Sequence, residues 1–315
     1  MGKIDARTHE YLSDNKRFAD IVNYYIYDGE QIIEPNQLHE MDATEIAFPY
    51  GNGENNSSEI IQKYRDLLKS ACAMSDDKAA YLIIGMENQA EVQYAMPVKD
   101  MLYDAEQYAK QVTTTAKRHR EINVPGKKVN SGEFLSGFYK EDKLLPVITI
   151  VVFWSADQWD GPKSLHEMMA TPDKNILRYV PDYKINLVSP YDIAEDDFIK
   201  FHTSIAEAFK YIKYSRDEDA LQNALESDNV YKQLDRETAE LINDVTGSEL
   251  EFEEGKELIN VCVATENMKK KAVRESAIET AKALLVLGKN TIEEIASVTK
   301  LPIDEIKKLA ESRVQ

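Results

Sequence analysis

Apolar residues in the first part of the chain recur at helical spacing. Within residues 14–28, Phe18, Ile21, Val22, Tyr25 and Ile26 share one face, and Gly29 follows where such a helix would stop. Asp42 to Tyr50 is short, apolar in its centre and closed by Pro49, and the Gly/Asn-rich GNGENNSS behind it reads as a loop. The pattern from Tyr64 to Met74 suits helix or strand, and at least its start is read as a strand. Ala79–Met86 (AAYLIIGM) is a continuous apolar run between polar SDDK and ENQ, as a strand buried on both faces would be. Pro97 opens a long amphipathic helix to about Arg118, with Val98, Met101, Leu102, Ala105, Tyr108, Ala109 and Val112 as its apolar face. Leu144–Trp154 and Tyr183–Val188 are two further strands. Helical patterns occupy 194–213, 216–226, 231–245 and, apart from a break near Gly288, 256–315. Strands separated by helices predict an α/β sandwich with a small mixed sheet.

A chain of 315 residues with 43% apolar and 30% charged residues can bury a substantial core in one or two domains. No apolar run reaches the roughly 18 residues a membrane span needs. The opening MGKIDARTHEYLSDNK holds no apolar segment, so no secretory signal is expected and a cytoplasmic location is. Cys72 and Cys262 lie far apart in apolar company and read as buried thiols in a reducing compartment. The net charge of −18 bears on partners. Proteins that grip phosphates usually carry a basic face, so either the basic residues cluster locally, or the acidic groups recruit cations, or nucleic acid is not the ligand.

Chemistry concentrates after the most apolar strand. Glu87 follows YLIIGM directly and Gln89 lies two residues on, which places both on one face of the strand. A carboxylate at the end of a buried strand needs a cation or a hydrogen-bond partner, or else points to water. Asp66 lies 21 residues before Glu87, a spacing that suits an antiparallel pair turning at SDDK with both acids at one end of the sheet. Two convergent carboxylates are the minimum oxygen set for Mg²⁺, which completes its shell with water and phosphate oxygens. A metal so held lowers the pKa of its water and stabilises the leaving oxygen of a phosphodiester.

An acid on one strand followed by (D/E)-x-K on the next is the plan of the PD-(D/E)XK nucleases. The run YLIIGMENQAEVQYAMPVKDMLYDAEQYAKQ resembles the Rpn/YhgA-like branch of that superfamily, which carries E-x-Q instead. The segments YLSDNKRFADIVNYYIYDGEQII, TEIAFPYG, KYRDLLK, SGEFLSGFYKEDKLLPVITIVVFW and YVPDYKINLVSP are similar to the family's as well, so that the resemblance covers about residues 8–250. It implies a nuclease domain over 1–250, with a small mixed sheet flanked by helices, and a helical C-terminal extension over 251–315. It also implies a metal-dependent DNA endonuclease associated with recombination or transposition. Asp66 and Glu87 would hold Mg²⁺ or Mn²⁺, and Gln89 would stand where relatives of the superfamily hold lysine. A neutral amide orients water by hydrogen bonds but adds no net charge. The alternative expectation is therefore a weakly active or inactive nuclease fold that serves as an interaction scaffold.

Other residues are read more plainly. Asp14 is expected to cap the first helix and Asp20 to be solvated or near a cap. Pro181-Asp182 with Lys184 follows the E-x-Q strand and reads as turn chemistry; His166 and His202 are isolated, which speaks against zinc. Tyr103, as a packing residue, and Asp104 could face the site from the following helix. Lys99, Lys117, Arg118, Arg120, Lys127 and Lys128 are candidate phosphate contacts, the last five in a polar loop. From Ala264 onward ten basic residues stand against eight acids. NTIEEIASVTKLPIDEIKKLAE resembles a helix-turn-helix, with Thr291 capping one helix, Ala296 inside and Leu301-Pro302 opening the next. With Asp304 and Glu305 at the front of the second helix, the segment is read first as a docking or homodimerisation element and only second as a DNA reader.

Overall fold

A computed structural model describes residues 3–41, 44–47, 61–64, 66–75, 78–121 and 129–311. In chain order it runs α1 (Lys3–Ser13), α2 (Asn15–Tyr27), β1 (His39–Glu40), β2 (Thr44–Ala47), β3 (Ile61–Tyr64), β4 (Leu67–Ser75), β5 (Lys78–Gln89), α3 (Met96–Glu121), α4 (Ser131–Ser136), β6 (Val147–Phe153), α5 (Lys174–Leu177) and β7 (Asn186–Val188). It continues with α6 (Ile205–Tyr214), α7 (Glu218–Ser227), β8 (Leu234–Asp235), α8 (Arg236–Thr246), β9 (Leu258–Ile259), α9 (Val261–Leu287), α10 (Ile292–Thr299) and α11 (Ile303–Glu311).

β1, β4, β5, β6 and β7 form one sheet in that order. β4 is antiparallel to β1 and β5, whereas β5, β6 and β7 are parallel. The expected α/β architecture with a mixed sheet flanked by helices is therefore present. Both faces of β5 are covered, as its unbroken apolar run requires. Leu82, Ile84 and Met86 enter the large core with Phe18, Ile21, Trp154, Phe209 and Ile242. Ile83 packs on the other face with Leu68, Val147 and Tyr108.

α2 starts because the Asp14 carboxylate accepts the N–H groups of Lys16 (3.0 Å) and Arg17 (3.1 Å). It stops at Asp28, in the left-handed region, and Gly29 (φ +92°) follows where a Cβ would meet Lys200 Cβ at 2.7 Å. Lys69 is buried under this corner. Its ammonium donates to Ser13 O (2.7 Å) and Asn15 Oδ1 (2.5 Å), which ties β4 to the α1–α2 junction.

Several expectations need adjustment. The pattern over 194–213 divides into a 3₁₀ segment, Glu195–Lys200, and α6. The helix expected over 231–245 begins only at Arg236, after a 3₁₀ turn and β8. Lys117, Arg118 and Arg120 belong to the last turns of α3 and not to a loop, while Lys127 and Lys128 lie outside the described residues. Beyond residue 250, Ile259, Val261 and Ala264 pack in the large core. A separate cluster of Ala281, Ile295, Leu301 and Ile306 unites the end of α9 with α10 and α11. Thr291 caps α10 as expected, in a capping box with Glu294. Cys262 is partly buried, and the Cys72 side chain is outside the described set. No described helix is long and apolar enough to cross a membrane.

Candidate functional site: two carboxylates and a lysine at the end of β4 and β5

Strand alternation decides which way the two acids point. Asp66 is two residues from Leu68, Glu87 is four from Ile83, and Leu68 and Ile83 share one cluster on the α3 side of the sheet. One step beyond the last β4–β5 pair, Leu67 with Met86, brings Asp66 opposite Glu87. Both carboxylates thus leave the sheet on one face, at one end.

Glu87 is 1% exposed, and the Lys99 ammonium sits 2.5 Å from its Oε2. Lys99 comes from the first turns of α3. Burial pulls its pKa down, but Glu87, with smaller contributions from Asp66 and Asp100, outweighs that and leaves it above the usual lysine value. The same ammonium lies 5.6 Å from the centre of the Tyr103 ring. Asp66 Oδ2 accepts the backbone N–H of Asn88 at 2.7 Å. Burial raises the Asp66 pKa, and the Asn88 N–H and the Lys99 charge offset only part of that rise.

Asp66, Gln89 and Lys99 line an open cavity of about 360 Å³ together with Asp5, Asn88, Ala90 and Glu91. Ala90 and Glu91 also line a second hollow of about 530 Å³, walled by Tyr94, Trp154, Asp157, Asp160 and Arg216. The three residues expected from sequence therefore lie at one place. Lys99, noted there only as a phosphate contact, joins them from 12 residues downstream of Glu87. Its spacing gave the signal, since it falls on the first turns of the helix that follows E-x-Q. Asp5 belongs to a helix that the apolar pattern does not reveal.

The face α3 turns inward differs from the expected one. Met96, Asp100, Tyr103, Asp104 and Gln107 are buried, whereas Ala105 and Ala109 are exposed. A polar stripe can be buried here because it meets polar partners. Asp104 accepts from Thr149 Oγ1 on β6 (2.6 Å) and from the Tyr183 hydroxyl (2.6 Å). Tyr103 is a packing residue that also carries the Lys99 charge over its ring.

The remaining candidates are structural. Asp20 is buried and not solvated: it accepts the N–H groups of His202 and Thr203 and the Thr203 hydroxyl, at 2.6–3.0 Å. Asp182 takes the His166 N–H at 3.0 Å, and that bond holds its carboxyl below the usual range, as in an ordinary turn. His166 Nε2 lies 2.7 Å from Val180 O. Among the described residues no group of three or more His, Cys, Asp or Glu is arranged to hold a metal ion.

Comparison with known proteins returns no matching family model, no matching curated protein and no matching solved structure.

Proposed function

We propose that this chain is a metal-dependent DNA endonuclease of the PD-(D/E)XK type, of the Rpn/YhgA-like branch, acting in recombination or the movement of mobile elements. The observation that carries the reading is the Lys99 ammonium against Glu87, on the sheet face that Asp66 and Gln89 share. It supplies the positive charge that E-x-Q lacks.

The donor set suits Mg²⁺ or Mn²⁺: Asp66 and Gln89 line the open cavity and the buried Glu87 shares their face of the sheet, all hard oxygen ligands. Asp66 and Glu87 would hold the ion, which when bound would act as a Lewis acid on water and phosphate. Gln89 can orient a water through its amide. Lys99 has three donors, one of them spent on Glu87, so it can also meet a phosphate oxygen and stabilise charge that develops there.

A second reading rests on the same pair. A buried Glu87–Lys99 bridge neutralises itself and can be purely architectural, which fits a scaffold of this fold without turnover.

Supercoiled plasmid incubated with Mg²⁺ or Mn²⁺ separates the two. The nuclease reading expects cutting that falls by about a hundredfold or more in Asp66→Ala, Glu87→Gln and Lys99→Met. Glu87→Gln and Lys99→Met each leave the partner's buried charge uncompensated, at a cost of about 3–5 kcal/mol, so urea unfolding must show that each variant is folded before its cutting is scored. Absence of cutting in either metal, together with no heat of metal binding, would establish the scaffold instead.

A further inference from the structure

The second half of α3 carries a small arm that exposes apolar side chains on purpose-built structure. α4 has no buried residue, and Phe134 and Leu135 on it are 80% and 83% exposed. Yet the helix is firmly terminated. Asn130 and Glu133 form a capping box, and Gly137 (φ +69°) ends it where a Cβ would meet Ala116 Cβ at 2.6 Å. The segment that follows is fixed to α3 at two more points. His119 stacks on Tyr139 at 3.7 Å, and the Gln111 amide bonds both the N–H and the C=O of Leu145. Ordered backbone that holds two large apolar groups in water calls for a partner that covers them.

The charge around the arm says which kind. Lys117, Arg118, Arg120, Lys140 and Lys143 are all exposed on it. Lys117 meets only Glu121, at 3.9 Å, and the other four form no ion pair among the described residues. Among the described residues of 114–145 five Lys/Arg stand against four Asp/Glu, a positive balance within a chain of net charge −18. A twofold contact between copies would set this positive patch against itself. Two apolar side chains alone are a marginal membrane anchor. A polyanion with an apolar interior between its charges fits both features.

We propose that this arm is a DNA-binding wedge, its basic residues on phosphates of a duplex and Phe134 and Leu135 pressed between base pairs. The proposal deepens the nuclease reading by assigning that site its duplex contact. From Lys99 to Arg118 the helix rises about 28 Å, or about eight base pairs, so both ends of α3 reach one turn or less of the same duplex.

The test uses the full chain in EDTA, so that it does not depend on cleavage. A 30-base-pair duplex with 2-aminopurine serves as the probe for affinity and base unstacking. The expected result is an aminopurine increase on binding that F134S/L135S abolishes, with about tenfold weaker affinity. K117Q/R118Q/R120Q should keep the fold and lower the salt-dependence slope by about three. Unchanged binding and unstacking in F134S/L135S would overturn the wedge. So would arm-dependent binding to phosphatidylserine vesicles with none to duplex, or arm-dependent self-association. Plasmid cleavage is scored separately: duplex binding without cutting sinks the nuclease and leaves the arm standing.

Discussion

Glu207, on the first turn of α6, shows how far one side chain's surroundings govern its charge. Burial raises its carboxyl pKa to about 7, and Asp228 and Asp235 add to the rise while Lys210 opposes it. It lines a hollow of about 580 Å³ with Phe198, Phe201 and His202. A folded-state pKa above the unfolded value means that Glu207 contributes stability fully below its ordinary value of 4.5. That contribution is lost as pH rises through about 7. The shift corresponds to at most about 3 kcal/mol, and less because water reaches the hollow. Glu207→Gln should therefore be more stable than the parent at pH 8 by about 1–2 kcal/mol, measured by urea unfolding, with the gap closing near pH 4. A gap independent of pH would mean that the carboxyl does not titrate there. Such a group is invisible in the sequence, because its environment comes from α6, the 3₁₀ segment before it and the turn after α7. Asp20 teaches the same. Its partners lie 182 and 183 residues away, so local pattern could not distinguish a buried anchor from a solvated acid. Asp14 was legible because its partners are two and three residues on.

At the scale of elements, continuous apolar runs announced β5 and β6 because strands covered on both faces need no alternation, while β7, a three-residue edge strand, showed only as the mixed run YKINLV. α1 escaped notice, since only Thr8, Tyr11 and Leu12 are buried along its 11 residues. α3 was expected, but with the wrong face inward, and the reason is chemical. Periodicity counts apolar residues, whereas this helix spends its inner stripe on Asp100, Tyr103, Asp104 and Gln107. Conflicts of this kind between local pattern and packing concentrate where function or strain demands them. The acids of the candidate site were legible from their strand ends, and the helix-borne lysine only as a loose phosphate contact. If the Asp104 bonds are what hold α3 to β6, Asp104→Ala should destabilise the chain by about 3 kcal/mol, since two charge-assisted bonds vanish and Thr149 and Tyr183 lose their acceptor. A loss below about 0.5 kcal/mol in urea would show that the helix is anchored elsewhere.

For the whole molecule, the decisive feature is that its apolar interior is not continuous to the C-terminus. Along α9, Val261 and Ala264 sit in the large core and Ala281 in the small C-terminal one, while residues 270–276 between them are all exposed. That stretch, KKAVRES, is steadied by surface ion pairs of Lys271 with Glu251 and Arg274 with Glu305. Each such pair is worth about 1 kcal/mol or less. The helical pattern over 256–315 foretold the helices but not this division, because a helix that crosses solvent keeps its periodicity while losing its neighbours. Two cores that share no residue should unfold with little mutual support. A chain ending at Ser276 should then melt within about 2 °C of the full protein's main transition, since losing that much apolar contact from one common core would shift it by far more. The same truncation read by sedimentation decides whether α10 and α11 mediate self-association, as proposed for a homodimer. A main transition lowered by 10 °C or more would mean that the small core buttresses the large one, and the division drawn through residues 270–276 would be wrong.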